Sequence, residues 1–503
     1  MNWILTIVTF LPLVGVLAIL LIDPPRRGSN KLIKQVAVAT AVATFLGTLL
    51  ILVRFNPNDP GLQMVDRFNW IPSWGIQYFL AVDGLSILMV LLTSFISMIA
   101  IASSWNAIET QLKQFYIFML LLQIGMMGVF LAQDLFLFYI FWEFTLVPMY
   151  FLIGIWGGER RVYASIKFFL YTMAGSLLML LAILFMGITN GTFALPDLIA
   201  GRSAFAGAQN LLFIGFFLAF AIKVPIFPFH SWLPDAHTEA PTAGSIILAG
   251  VLLKMGTYGL IRFNLPLFPE ASYEFAPFIA VLAIIGIIYG AIVSFAQKDV
   301  KKLVAYSSIS HLGFVTLGIF ALNNAGIQGA LLQGVNHGLS TGALFLLVGI
   351  LYEQTHTRDM AAYGGVWKIM PVFSVLSLII VLSSMGLPGL NGFVGEFTIL
   401  LGSMGAESLT PRPWIYTAFA TSGVILAAVY LLWMFQRVFM GPAVTEKVKS
   451  LREINRGELA LMLSFLVFIF WIGIAPSAYF YLMDDTVNEL VINISSALLA
   501  LAP

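Results

Sequence analysis

The 503-residue sequence contains no cysteine. That excludes a disulfide framework, a cysteine-ligated iron–sulfur cluster, a CxxCH haem attachment and a thiol nucleophile. Any redox chemistry that the protein serves is expected to run in another chain, and no cofactor or metal is expected in this one. Charge is scarce too, at 10% of residues, and its signs balance: 25 Lys and Arg against 24 Asp and Glu, a formal net charge of +1. No basic surface is left for nucleic acid, and no acidic excess to solvate a disordered chain. Neither a GxxxxGK nor a strand-linked GxGxxG occurs, so nucleotide binding is not expected, and pairs such as Gly364 and Gly365 read as loop signals. What the chain has in excess is apolar: 60% of its residues are hydrophobic. A soluble core of this size requires no such balance, so the chain belongs in a bilayer.

A hydrocarbon layer about 30 Å thick needs about 20 helical residues to cross it. Fourteen apolar runs near that length, bounded by charge or turn residues, can be marked. They include a first at 3–22, a fifth at 135–156, a seventh at 210–232, an eighth at 243–263, a tenth at 303–322, an eleventh at 327–351 and a twelfth at 371–401. The first lacks a basic start and an A-x-A site, so it reads as a retained helix. Loops after odd-numbered spans hold seventeen of the 25 basic residues, Arg26 and Arg27 among them. Loops after even-numbered spans hold five, Arg262 among them, and Lys167, Lys223 and Lys254 lie inside spans. Basic loops resist translocation, so the split predicts both termini on the lumenal or periplasmic side. The expected fold is therefore an all-α polytopic membrane protein, one transmembrane domain over 1–503, with an amphipathic interfacial tail at 484–503.

The informative residues are ionisable groups placed where hydrocarbon should be. A charge at mid-bilayer costs about 2.5 to 3.5 kcal/mol on insertion scales and marks an ion pathway by default. Six lie in six different spans: Glu143 (FWEFTLVPMY), Lys223 (FAIKVPIFPFH), Lys254 (GVLLKMGTYG), His311 (YSSISHLG), His337 (GVNHGLSTG) and Glu396 (LPGLNGFVGEF). Any one pair of them reads equally well as an ion pair fixing helix register. Together they alternate acid, base, imidazole and acid, as a relay of exchangeable protons requires. Lys167 sits one turn inside its span and reads as snorkelling. Asp83 and Asp134 read as caps of helix starts, His356 as a solvated loop residue, and His230 and His237 as caps of a broken helix in preference to a proton entrance.

Two spans carry their own breaks. Pro225 and Pro228 follow Lys223 and remove amide donors from the helical ladder; Gly386, Pro388, Gly389 and Gly392 precede Glu396. Discontinuous helices with a charge at the break point to a transport site. Glu143 precedes Lys223 by two spans, and His311 precedes Glu396 by two spans. That spacing predicts two five-helix repeats, spans four to eight (115–263) and nine to thirteen (275–440). The odd helix count makes the second enter inverted.

The strings WEFTLVPMYFLIGIWGGERRVYASIKFFLYTMAGS, AFAIKVPIFPFHSWLPDAHTEAPTAGSIILAGVLLKMGTYGLIRF, KKLVAYSSISHLGFV, GVNHGLSTGALFLLVG and GLPGLNGFVGEF resemble the antiporter-like membrane subunits of respiratory complex I. The likeness covers nearly the whole chain. Within that family the sequence is most similar to the chain 4, or subunit M, type, because Glu396 stands where the other types carry lysine. The branch that it resembles is the cyanobacterial or plastid one. The resemblance implies a proton-translocating subunit of an NAD(P)H- or ferredoxin-driven quinone or plastoquinone oxidoreductase, in a thylakoid membrane. Its implied partners are neighbouring antiporter-like chains and other membrane subunits, with lipids around them. It also implies roles: Glu143 and Lys223 as the pair of a first half-channel, Lys254 carrying the proton onward, His311 and His337 bridging, and Glu396 handing it out. Elementary electrostatics fits such a switch, since burial disfavours a charged lysine and a nearby carboxylate favours it again. Rival readings are a stand-alone multi-subunit cation/proton antiporter, a haem carrier using His311 and His337, against which the flanking serines and glycines argue, and a scaffold with buried polar glue.

Overall fold

The computed structural model describes residues 3–22 and 28–499. Arg26, Arg27 and the end of the expected tail, residues 500–503, lie outside the described residues. The chain is mostly helical, as its unbroken apolar runs dictate: in hydrocarbon every backbone amide must be satisfied within its own segment. Among the described residues, twelve helices are long and apolar enough to cross a membrane. To these add the shorter Ile4–Leu20, about 25 Å long at 1.5 Å per residue, and the broken pair Pro371–Ser384 and Asn391–Met404. Neither member of that pair, 14 residues each, crosses alone. Fourteen crossings result, as the apolar runs predict.

Two compact units divide the chain. The first comprises 1–224, 251–275 and 481–503; the second comprises 225–250 and 276–480. The boundary after Val224 falls at the first break, where helix Gln209–Lys223 ends and the chain resumes as helix only at Trp232–Glu239. The second break lies at Gly386, whose φ of +78° only glycine adopts without strain.

The all-α expectation meets one exception. An antiparallel hairpin, Gln63–Ile71 paired with Ile76–Val82, occupies the loop after the second crossing. Its exposed Phe68, Trp70 and Trp74 interleave with polar residues and break no helical pattern, so hydropathy alone reads this stretch as loop. The tail is a helix, Asp484–Leu499, that buries Val487, Leu490, Ile494 and Ala497 at helical spacing. It is fastened within the first unit: Thr486 Oγ1 accepts the Gly84 N–H at 3.1 Å and donates to the Pro60 carbonyl at 3.2 Å.

Candidate functional site

In the first unit, Glu143 stands on helix Leu135–Trp156, half-buried, with the hydroxyls of Tyr139 and Ser176 as hydrogen-bond partners. Lys223 is the last residue of helix Gln209–Lys223 and is buried. The two are coupled through space and do not close into a contact pair. Among the described residues the Lys223 ammonium has no hydrogen-bond acceptor, and it lies over the rings of Trp142 at 5.2 Å and Phe168 at 5.6 Å. Ring faces attract a desolvated ammonium without taking its proton.

Lys254 lies in the middle of the fully buried span Thr242–Leu267. That span is not a regular α-helix. The α-helical turns Leu253–Gly259 carrying Lys254 sit between two π-helical segments, Leu248–Leu252 and Leu260–Asn264. Such π-turns are rare and recur at functional sites. Gly256 lets this segment approach helix Gln209–Lys223: a Cβ there would meet Val224 Cγ2 at 2.7 Å, the Phe220 carbonyl at 3.0 Å and Lys223 Cβ at 3.1 Å.

In the second unit the contacts are direct. Glu396, on the half-helix Asn391–Met404, meets His311 of helix Val300–Phe320 with Oε1 2.9 Å from Nδ1. The same oxygen accepts from Gln333 Nε2 at 3.1 Å. The other imidazole nitrogen, Nε2, lies 3.1 Å from the Tyr430 hydroxyl. His337, on helix Asn324–Thr355, places its ring 6.0 Å from that of His311. Both histidines line a cavity of about 10 Å³, the room of roughly one water, shared with Asn336, Ser340, Ser383 and Ser384. Asn391 ties this wall together: its carbonyl oxygen accepts from Asn336 Nδ2 at 2.7 Å, and its side chain bonds Ser340 and Ser383.

The six expected residues thus gather as two threes, Glu143, Lys223 and Lys254 in one unit, His311, His337 and Glu396 in the other. Several partners escape sequence reasoning. Tyr430, in an apolar run, carries no signal at all. Asn391 sits inside the GLPGLNGFVGEF string and is visible there in principle. Among the described residues no cluster of three or more His, Asp or Glu has the geometry of a metal site.

Other expectations divide. Asp134 is the cap expected of it, its Oδ1 accepting from the Phe136 and Leu137 amides at 3.0 Å. Lys167 is half-buried with its ammonium 5.7 Å from the Tyr163 ring. His356 is exposed. His230 and His237 do not cap the first break. His237 lies inside helix Trp232–Glu239, stacked on Phe345 at 4.5 Å, and His230 Nε2 is 3.4 Å from the Tyr289 hydroxyl. The end of that helix is capped instead by Lys301, a buried residue counted as a loop charge, whose ammonium donates to the Ala240 carbonyl. Asp83 accepts from the Leu85 and Ser86 amides at the start of helix Ile87–Ala107, as a cap does, and in addition forms a buried ion pair with Arg262, which was expected in a loop.

The family described as "NADH:quinone oxidoreductase/Mrp antiporter, TM" matches residues 132–425. NADH-quinone oxidoreductase subunit M of Rhodobacter capsulatus is 44% identical, over 100% of this chain and 99% of that protein. NADH-ubiquinone oxidoreductase chain 4 of Marchantia polymorpha is 42% identical, over 96% and 95%. A chain in the structure of respiratory complex I from Thermus thermophilus with bound NADH superposes with a TM-score of 0.86 at 32% identity, covering 97% of this chain and 99% of that one.

Proposed function

The chain belongs to the NADH:quinone oxidoreductase/Mrp antiporter membrane family, and from that premise we propose that it is the subunit M, or chain 4, component of a proton-pumping complex I. One observation carries the reading: each compact unit holds its own buried carboxylate with two basic groups, and in each a helix is broken beside one of the three. The inverted repeats at 115–263 and 275–440 are part of the same proposal, which the two breaks support.

The chemistry follows from the contacts. A protonated His311 donates from both ring nitrogens, to Glu396 Oε1 and to the Tyr430 oxygen; once neutral, one of those nitrogens must accept. The imidazole therefore exchanges its proton with Glu396 over a single hydrogen bond. The cavity beside His337 has room for about one water. In the other unit, Lys223 rests on aromatic faces and Glu143 on hydroxyls, so each gains or loses a proton without breaking an ion pair first. Moving one charge against 100 mV takes about 2.3 kcal/mol. Nothing in this chain extracts that from a substrate, so neighbouring membrane subunits transmit it from a redox arm.

The relatives' names, NADH-quinone and NADH-ubiquinone oxidoreductase, support NADH as the donor and a respiratory membrane. They lend nothing to the plastoquinone, thylakoid and cyanobacterial or plastid expectations. Placement of both termini on the periplasmic side rests on the Lys and Arg split alone. The test is the proton-to-electron ratio of the assembled complex in vesicles. Lys223→Ala and Glu396→Gln are each expected to cut pumping and NADH:quinone turnover by about tenfold or more. Unchanged pumping in both assembled variants overturns the relay and leaves a scaffold.

A further inference from the structure

Arg262 is a permanent cation inside the membrane that the relay does not use. It lies in the π-helical segment Leu260–Asn264 of the span that carries Lys254, eight residues further along and so about 12 Å away. The residue is 7% exposed, and each of its three side-chain nitrogens donates a hydrogen bond. Nη1 donates to Asp83 Oδ2 at 2.6 Å, Nη2 to Asp83 Oδ1, and Nε to the Tyr258 oxygen at 2.9 Å. Tyr258, one turn from Lys254 on the same face, donates its own hydroxyl proton to the Phe130 carbonyl at 3.0 Å. Asp83, 2% exposed, also accepts from the amides of Leu85 and Ser86. Beside it the tail helix covers the site through Thr486 and Gly84. All of these residues belong to the first unit.

The contacts of this cluster oppose passage of a proton: the Asp83 oxygens already accept from Arg262 and from two amides. A guanidinium does not release one in a protein, and the phenol's only proton is given to a carbonyl. A fixed, oriented arginine repels protons, as in pores that conduct water and exclude them. We propose that Asp83, Arg262 and Tyr258 form an electrostatic plug that closes the path from Lys254 to the membrane face carrying the hairpin, so that a proton on Lys254 is not lost there. The plug rests on the relay reading of Lys254. A purely structural ion pair would fix the helices without making the membrane tight, and that difference is measurable.

The experiment uses the assembled complex in liposomes and follows the decay of an imposed pH gradient without turnover. Asp83→Asn combined with Arg262→Gln replaces the ion pair by two shorter neutral amides that still offer donors and acceptors, removes the cation and leaves no lone buried charge. It is expected to keep NADH:quinone turnover while the gradient decays several-fold faster and fewer protons are pumped per electron. Arg262→Lys keeps a cation that the Asp83 carboxylate holds charged, and is expected to leak less than the neutral pair. Should the neutral pair not assemble, Arg262→His keeps the ion pair when protonated and replaces a group that holds its proton by one that releases it; the same leak is expected. Adding Lys254→Met is expected to abolish the leak. A leak that survives it overturns Lys254 as a relay and leaves the plug, whereas membranes as tight as the parent in the leaking variants overturn the plug and leave the relay.

Discussion

Glu396 and His311, 85 residues apart in sequence, share a hydrogen bond of 2.9 Å between Oε1 and Nδ1. The bond joins a half-helix to an intact one, and its far end is held by Tyr430, the only group among the described residues placed on His311 Nε2. Removing that hydroxyl by Tyr430→Phe preserves the packing and frees the imidazole to rotate. The expected outcome is a complex destabilised by about 1 kcal/mol with a lower proton-to-electron ratio, read by thermal unfolding and by pumping in vesicles. An unchanged ratio would show that His311 needs no such support.

The turn beside Glu396 tests the break itself. At Gly386, with φ +78°, a Cβ would stand 3.0 Å from Glu396 Oε2. Gly386→Ala is expected to cost about 1 kcal/mol or more from the backbone alone and to displace the carboxylate. Turnover and pumping should therefore fall together in complex that still assembles. Equal activity in parent and variant would place Glu396 outside the path.

Gly256 tests the approach of the two lysine-bearing segments. A valine there meets the Phe220 carbonyl, which is backbone and cannot turn aside, together with Val224 and Lys223 Cβ. Overpacking of this kind costs about 1 to 3 kcal/mol. Gly256→Val is expected to lower pumping more than Gly256→Ala, measured per assembled complex.

Asp134, outside the spans, gives a pH dependence. Burial pushes its carboxyl up to about 6 from an ordinary 3.8, against the amides of Leu137, Gln77 and Phe136 that draw it down. A carboxyl raised in the folded state favours folding below its unfolded value, and that contribution is lost as pH rises through the folded one. Thermal stability is thus expected to fall between about pH 4 and about pH 6 in the parent and to stay flatter in Asp134→Asn, by an amount on the order of 2 kcal/mol. Asparagine keeps an oxygen for the cap and carries no charge. Parallel profiles for the two would exclude the effect.

Composition and hydropathy alone marked fourteen apolar runs as helical crossings, because a run of about 20 apolar residues satisfies its own amides in hydrocarbon as a helix. They also singled out the six residues that we propose as the relay, since an ionisable group in such a run has no cheap reason to be there. Proline and glycine beside Lys223 and Glu396 announced the breaks for the same reason. Only the tertiary structure decided what each charge does. Arg262 and Lys301 sit at span ends, where hydropathy assigns them to loops; packing buries both and hands one to Asp83 and the other to a helix end. Lys223 and Glu143 do not touch: aromatic rings face the one, and hydroxyls bond the other. Tyr430 serves His311 from an apolar run that no periodicity distinguishes. Local sequence sets what a segment is soluble in, whereas a partner is chosen by which side chains the folded chain brings within about 3 Å, the range of a hydrogen bond.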